Sequence, residues 1–350
     1  MDSTKRVETV VGLDVGAKLT NICVAQGAEI LEETVIPTDR ESLELFFKER
    51  PRDAVRMEVG GSSRWMSQVL RDMDFPVVVA DARRLPRNMN SGRKNDRNDA
   101  RWLATLEDRM IKGIYHRSSR HQIDLEVLRA RDLLVRQRTS LVNHLRGVAR
   151  SHGIKIKAGS PEAIPKAVAA AVFPELLDSI QEVLVMTTEL SRKIAALDRK
   201  IARLTKTRYP ECQRLLQVRG VGPVTALAFV LTIADPDRFP RTRRVGAFVG
   251  LVPKLEESGD HSPALGITKA GDRTLRKLLV QCAHYKLGPF GGDCDLQRYG
   301  HALVARGGKN AKKRAAVAVA RKLAVLLLAL WKSGEVWEPL RHAEPKQMVA

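Results

Sequence analysis

Cysteine is scarce in this 350-residue sequence: Cys23, Cys212, Cys282 and Cys294 are scattered, with no C-x-x-C spacing and no paired histidines beside them. That excludes a disulfide framework and a Cys/His zinc site, and it fits a reducing cytoplasm. Long apolar runs are missing too. The longest late one, Leu323 to Trp331, is bounded by Arg321, Lys322 and Lys332 and is too short to span a bilayer. The opening MDSTKRVETVVGLD has no apolar stretch of signal-peptide length, and its short apolar run reads as a strand. There is no internal repeat and no low-complexity tract. Acidic residues are outnumbered, 40 against 60 Lys and Arg, leaving a formal charge of +20.

What is present is globular material, 44% hydrophobic and 29% charged, in a chain longer than one core usually accommodates. A pI near 10.2 points to polyanionic partners, nucleic acid first. The excess concentrates between Arg83 and Lys155, where 18 basic residues meet 7 acidic ones.

The first 110 residues alternate strand-like and helix-like patterns. VETVVGLDVG, LTNICVAQG and AEILEETVIP read as strands. A helix through SLELFFKER, capped by Thr38 or Asp39, comes next, then the strand AVRMEVG, the helix SRWMSQVLRDM and the strand PVVVAD. Three strands, helix, strand, helix, strand is the RNase H-like order, which actin-like phosphotransferases also begin with. DRNDARWLATLEDRM reads as a further helix with Asn95 as its cap. Two long helices follow at about 122–150 and 174–208. The second has a heptad seam, with Ile180, Thr187, Ile194 and Ile201 at a and Val183, Leu190, Leu197 and Leu204 at d. Ile at a with Leu at d favours a parallel two-stranded coil; an intrachain hairpin with the first helix is the alternative. Beyond Tyr209 the chain turns globular again, with two helices near 269–287 and 310–332.

Asp14 breaks the apolar run of the first strand, and Glu58 breaks the fourth. A buried charge needs a partner, and in an RNase H-like sheet these strands are neighbours. Asp96 and Asp99 sit one turn apart on a helix; an acid-rich first turn is also ordinary dipole complementation. Four converging carboxylates would need divalent cations between them, Mg2+ or Mn2+, the arrangement that serves in-line phosphoryl displacement. Asp81 is the rival third ligand. Lys94 beside the pair could meet a phosphate. Gly220-Val221-Gly222-Pro223 reads as the hairpin of a helix-hairpin-helix, whose glycines let the backbone approach a phosphate, or as a plain glycine turn. Ser258 stands before Gly259 in a polar loop, with Lys269, Arg273 and Arg276 downstream. Serine is a weak nucleophile unless a base or metal activates it and cations stabilise the transition state, and Ser-Gly is commonly just a turn. Ser262 competes locally.

LDVGAK, MEVGG, NDRNDA, LLQVRGVGPVTA and GLVPKLEESGD followed by ITKAGDRTLRKLL together, in order from Val7 to Trp331, resemble the DEDD transposases of the insertion-sequence-110 family, particularly its 1111 subgroup. The resemblance implies an α/β plus α fold. It gives a RuvC-like domain over 1–115, a helical, coiled-coil dimerisation region over 116–208, and a helical transposase domain with a helix-hairpin-helix over 209–350. It makes Asp14, Glu58, Asp96 and Asp99 the metal-binding tetrad and Ser258 the nucleophile. Some relatives carry a second hydroxyl residue before that serine, where this chain has Glu256 and Glu257. A site shared between subunits, a phosphoserine link to DNA, and resealing by the freed 3′-hydroxyl are implied as well. So are a homodimer or dimer of dimers, donor and target DNA as substrates, and a structured noncoding RNA that pairs with both. The arginine-dense helix with Arg129, Arg131, Arg136, Arg138, Arg146 and Arg150 would suit a nucleic-acid backbone. A RuvC-like endonuclease or junction resolvase, in which activated water attacks, is the competing expectation. A bacterial cytoplasmic location, nucleoid-associated on DNA and with no membrane partner, completes the set.

Overall fold

Alternation of apolar residues builds a five-stranded sheet in the first of two units, residues 1–116 and 117–350. The computed structural model describes residues 8–82, 84–85, 96–254 and 265–341. Strands β1 (Thr9–Val15), β2 (Leu19–Gln26) and β3 (Glu29–Pro37) form an antiparallel meander. Helix α1 (Arg40–Phe47) leads to β4 (Ala54–Glu58), and α2 (Ser63–Asp72) leads to β5 (Val77–Ala80). Both late strands run parallel to their neighbours, giving the order β3-β2-β1-β4-β5. The element order expected from sequence is present, and this mixed sheet is compatible with an RNase H-like domain. Of the two caps considered, Asp39 is the one used: its carboxylate accepts from the Ser42 amide at 2.8 Å.

The sheet's two faces are packed differently. Val11, Leu13, Val55, Met57 and Val79 meet Leu43 and Phe47 of α1 and Met66, Val69 and Leu70 of α2. The other face carries Gly12, Cys23 and Ala25 under helix α3 (Asp96–Thr105), which contributes Ala100 and Ala104. Small residues fill the centre of this contact, so α3 lies close to the strands.

Among its described residues, the regular elements of the second unit are all helices. Helix α4 (Ser119–Ser151) and α6 (Pro174–Thr207), each about 50 Å long, are joined through α5 (Ile164–Ala169). They run antiparallel, since Asp124 meets Arg208, Arg131 meets Asp198 and Arg138 meets Ser191. The heptad seam therefore has an intrachain partner. Ile180, Thr187, Ile194 and Ile201 are all buried, and Val142 and Leu145 of α4 share a core with Ile180, Leu184 and the α5 residues Ile164 and Val168. A second helix from another chain is not required to cover the a positions, because α4 follows the same seam. Buried Asp124 closes the other end, accepting from Arg208 at 2.9 Å and from the Tyr209 hydroxyl at 2.7 Å.

Helices α7 (Cys212–Leu216), α8 (Pro223–Ile233), α9 (Arg244–Phe248), α10 (Arg273–Leu287), α11 (Asp295–Ala305) and α12 (Ala311–Ser333) complete the unit. Apolar α8 is its centre, buried continuously from Thr225 to Ile233 and sharing one core with α10, α12 and the ends of α4 and α6. Helix α10 begins four residues later than the sequence suggested: Lys269 takes a left-handed φ of +54°, and the Asp272 carboxylate caps the helix by accepting from the Leu275 amide at 2.8 Å. No helix among the described residues is long and apolar enough to cross a membrane.

Candidate active site

The parallel register of β1 and β4 pairs Gly12 with Arg56 and Leu13 with Met57. Continued by one residue, that register would bring Asp14 level with Glu58, and alternation puts both on the α3 face. Asp14 is partly buried and Glu58 exposed, at the edge where the small-residue contact ends. Asp81 stands just past the end of β5 and pairs with Arg84 at 3.4 Å.

Helix α3 brings the remaining acids. Asp96 opens it, and the side chain of Asp96 lies outside the described residues. Ala100 and Ala104 face the sheet, Arg97 and Arg101 reach β3, and helical periodicity turns partly buried Asp99 and buried Leu103 to the opposite flank, toward β4.

Three features that sequence reasoning passed over fix this helix. A β-carbon on Gly12 would lie 2.2 Å from the Ala100 carbonyl oxygen and 2.6 Å from the Ala104 amide, so only glycine admits α3 at this height. Arg56, 6% exposed, donates to the Leu106 carbonyl at 2.5 Å and more weakly to those of Leu103 and Ala104, and it pairs with Asp108 at 2.5 Å. It satisfies the carbonyls at the end of α3 that no helical amide can reach. On the other flank Glu33 of β3 accepts from Arg101 at 2.6 Å and from Arg97 at 2.7 Å. The Arg101 hydrogen bond, reinforced by Arg97, holds the Glu33 carboxyl down to about 2. Burial, with Glu33 nearby, pushes the Cys23 thiol up, which makes that cysteine a packing residue. Arginines in a basic sequence gave no signal; a glycine inside an apolar strand was the one legible hint.

The carboxylates offer hard oxygen ligands of the kind Mg2+ or Mn2+ takes. Among the described residues, no three His, Cys, Asp or Glu side chains already converge as a metal site.

In the second unit, Ser258 and Ser262 lie outside the described residues, as does Lys94 in the first. The neck of the serine-bearing segment is well defined. Lys254 and Thr268 amides donate to the Gly266 and Val252 carbonyls at 2.8 and 2.9 Å, and Pro253 bridges to Ile267. Gly250 and Gly271 both take positive φ where a β-carbon would run into backbone, at 2.2 Å from Ala270 O and 2.0 Å from Phe248 O. Arg276 donates to the Val249 and Ala270 carbonyls at 3.0 and 2.7 Å, so it staples this neck and its guanidinium is occupied; Arg273 and Lys269 are exposed.

The arginines of α4 divide in the same way. Arg131 pairs with Asp198, and Arg138, 9% exposed, contacts Glu162 and Ser191, so both are already engaged within the unit. Arg129 and Arg136 are exposed beside Glu126 and Asp132. Gly220 takes a φ of +90° in the turn between α7 and α8, and Gly222 precedes α8 without any side-chain cap, leaving its first amides facing outward from the helix end.

Two family models match this sequence: a transposase model of DEDD type over residues 11–153, and the transposase IS116/IS110/IS902 family over residues 212–287. The transposase for insertion sequence element IS1111A of Coxiella burnetii is 31% identical over 287 residues, covering 79% of this chain and 77% of that protein. The transposase for insertion sequence element IS1328 of Yersinia enterocolitica is 26% identical over 284 residues, covering 79% of this chain and 83% of that protein. The acid-bearing sheet with α3, and the neck with α10, fall in the two matched segments, and the chain belongs to the IS116/IS110/IS902 family of DEDD transposases and is a DNA transposase.

Proposed function

We propose that this transposase excises and inserts an insertion sequence through a phosphoserine intermediate, with Asp14, Glu58, Asp96 and Asp99 holding Mg2+ or Mn2+. The observation that carries the reading is the β1–β4 register, whose continuation past Leu13 and Met57 supports Asp14 and Glu58 as neighbours beneath the flank of α3 that bears Asp99. Bound cations would offset the clustered negative charge and stabilise the phosphoryl oxygens. Asp96, or a closer approach of α3, completes the ligand set.

Ser258 attacks phosphorus through its Oγ and releases its proton to solvent. The bond from phosphorus to the 3′-oxygen breaks, freeing a 3′-hydroxyl while the 5′-phosphate stays on serine. A 3′-hydroxyl of the partner strand then attacks this phosphoserine, expelling the serine oxygen, which regains a proton. One phosphodiester is exchanged for another, so no external energy source is needed. Gly220 and Gly222 with Lys94, Lys269 and Arg273 contact DNA backbone. A structured noncoding RNA supplies sequence recognition by pairing, and the enzyme works as a homodimer or dimer of dimers in the bacterial cytoplasm.

Labelled DNA carrying the element's ends, incubated with the full chain and Mg2+, tests the reading. It should remain attached to protein through denaturation and be lost in Ser258→Ala, while metal binding by calorimetry is kept in that variant and lost in Asp14→Asn with Glu58→Gln. Free ends without an adduct would instead favour a RuvC-like endonuclease or resolvase. RNA co-purifying with the chain and matching its flanking DNA supports the guided step; protein free of RNA removes that step alone.

A further inference from the structure

The second unit contains a cavity of about 660 Å3 walled by Leu251, Leu296, Val325, Leu326 and Leu330. Its aromatic content stands out in a chain with four Trp and four Tyr, because Tyr299 and Trp337 both line it. Each is half-buried, and the buried Lys286 ammonium lies 4.6 Å from the Trp337 ring centroid. Four exposed cations, Arg243, Arg321, Lys322 and Arg341, stand at the same cavity, and the last is paired with Glu335 at 2.7 Å. Lys322 lies 3.8 Å from the Tyr299 ring centroid, and the Arg321 stem lies against Gly246, where a β-carbon would be 3.0 Å from Cγ. The acids, Asp295 and Glu338, belong to the side formed by residues 334–341, where the Asp295 amide donates to the Pro339 carbonyl at 2.8 Å. Pro253 and Ile267, the bridge at the neck of the serine-bearing segment, form part of the wall.

Apolar walls with aromatic rings and several cations are a demanding combination. Duplex DNA presents sugar and phosphate, which could meet the cations but would leave the apolar interior empty. A buried peptide would use the interior and leave the cations without purpose. An unpaired nucleotide satisfies both, since each base has two flat faces for stacking and is flanked by phosphates. Strand exchange by a transposase necessarily generates such nucleotides near a cut.

We propose that this cavity receives one unpaired nucleotide of the DNA strand, its base replacing the Lys322 ammonium over the Tyr299 ring and its phosphates met by Arg243, Arg321 and the displaced Lys322. The choice of ligand rests on the transposase activity and not on the acidic tetrad or on serine chemistry. Binding is therefore measured in EDTA, where failure of the metal reading has no effect.

Fluorescence anisotropy of a labelled single-stranded 20-mer and its duplex, over a series of salt concentrations with the full chain, provides the test. Tyr299→Leu should weaken single-strand binding by about fivefold or more and leave the salt dependence unchanged, as lost stacking requires. Arg321→Gln with Lys322→Ala should reduce the salt slope by about one to two. Duplex affinity should move by less than roughly twofold in both, with unaltered melting temperatures. Equal losses for single strand and duplex, or no loss for either, would overturn the proposal. An oligoribonucleotide of the same sequence separates the source: tighter RNA binding that depends on Tyr299 would give the cavity to RNA and overturn the DNA assignment.

Discussion

Helix α8 is buried on all sides from Thr225 to Ile233, whereas α3 rests on glycine, alanine and cysteine and is tied at both flanks by arginine contacts. The two helices illustrate different ways of fixing position. Apolar burial scales with area and has little directional preference, so α8 gains most of its stabilisation over a range of orientations. Hydrogen bonds weaken steeply with distance and angle. In the proposed site α3 would bring Asp99 toward Asp14 and Glu58, and the second kind of tie suits that task because it fixes direction as well as distance.

The largest effect should come from the apolar side of this contrast. Phe229→Ala removes a fully buried ring from α8, packed edge-on against Trp331, and should cost the second unit about 3–5 kcal/mol in denaturant unfolding. A loss below about 1 kcal/mol would show that α8 is not the centre of that core.

On the other side, Arg56→Met deletes a buried fork that serves the Leu106 carbonyl and Asp108. Asp108 is exposed and can return to water, so the loss should be moderate, about 1–3 kcal/mol. The comparison is sharpened by a second readout. Mn2+ affinity should fall in Arg56→Met even at temperatures where the unit stays folded, and Arg56→Lys should recover part of it. Unchanged Mn2+ affinity would make Arg56 a stability residue only.

These two helices also differ in how far they could be read from sequence. The apolar run of α8 and the glycine turn before it are local patterns, legible without a fold. Asp14 and Glu58 were visible because a carboxylate interrupts an apolar strand, and strand order made them neighbours. The fixtures of α3 were not visible, because Arg56 finds Asp108 52 residues away and Glu33 finds Arg101 68 residues away. In a sequence with 60 basic residues, no local feature distinguishes those arginines. The seam of α6 shows the intermediate case: its periodicity was legible, but its partner, α4 of the same chain, depends on how the connection through α5 folds back. Short α5 and α11 carried no periodic signal long enough to register.

Glu33 supplies a smaller and pH-dependent test of the clamp. Its carboxyl is lowered from 4.5 to about 2 in the folded chain by Arg101 and Arg97. The depressed value means that the clamp's contribution is complete above about pH 4.5 and is lost as pH falls from there toward 2. Both arginines are substantially exposed, which screens the pair, so Glu33→Gln should cost only about 1 kcal/mol near neutrality. The difference in stability between wild type and variant should close on acidification across that window. A difference that persists at pH 2 would mean that Glu33 acts through packing and not through charge.

The smallest effect on stability belongs to Arg129, and it asks whether the division seen for α3 also sorts the arginines of α4. Arg129 and Glu126 are both about half exposed, so Arg129→Ala should change stability by less than about 0.5 kcal/mol. If it meets DNA backbone, the same variant should lower duplex affinity at low salt and reduce the salt slope by about one. Arg138→Ala should do the reverse. Its guanidinium is buried against Glu162 and Ser191, so its loss should lower the unfolding temperature and leave the salt slope unchanged. Equal salt slopes in wild type and Arg129→Ala would remove the exposed arginines of α4 from the DNA surface and assign the basic excess of this helix to packing and solubility.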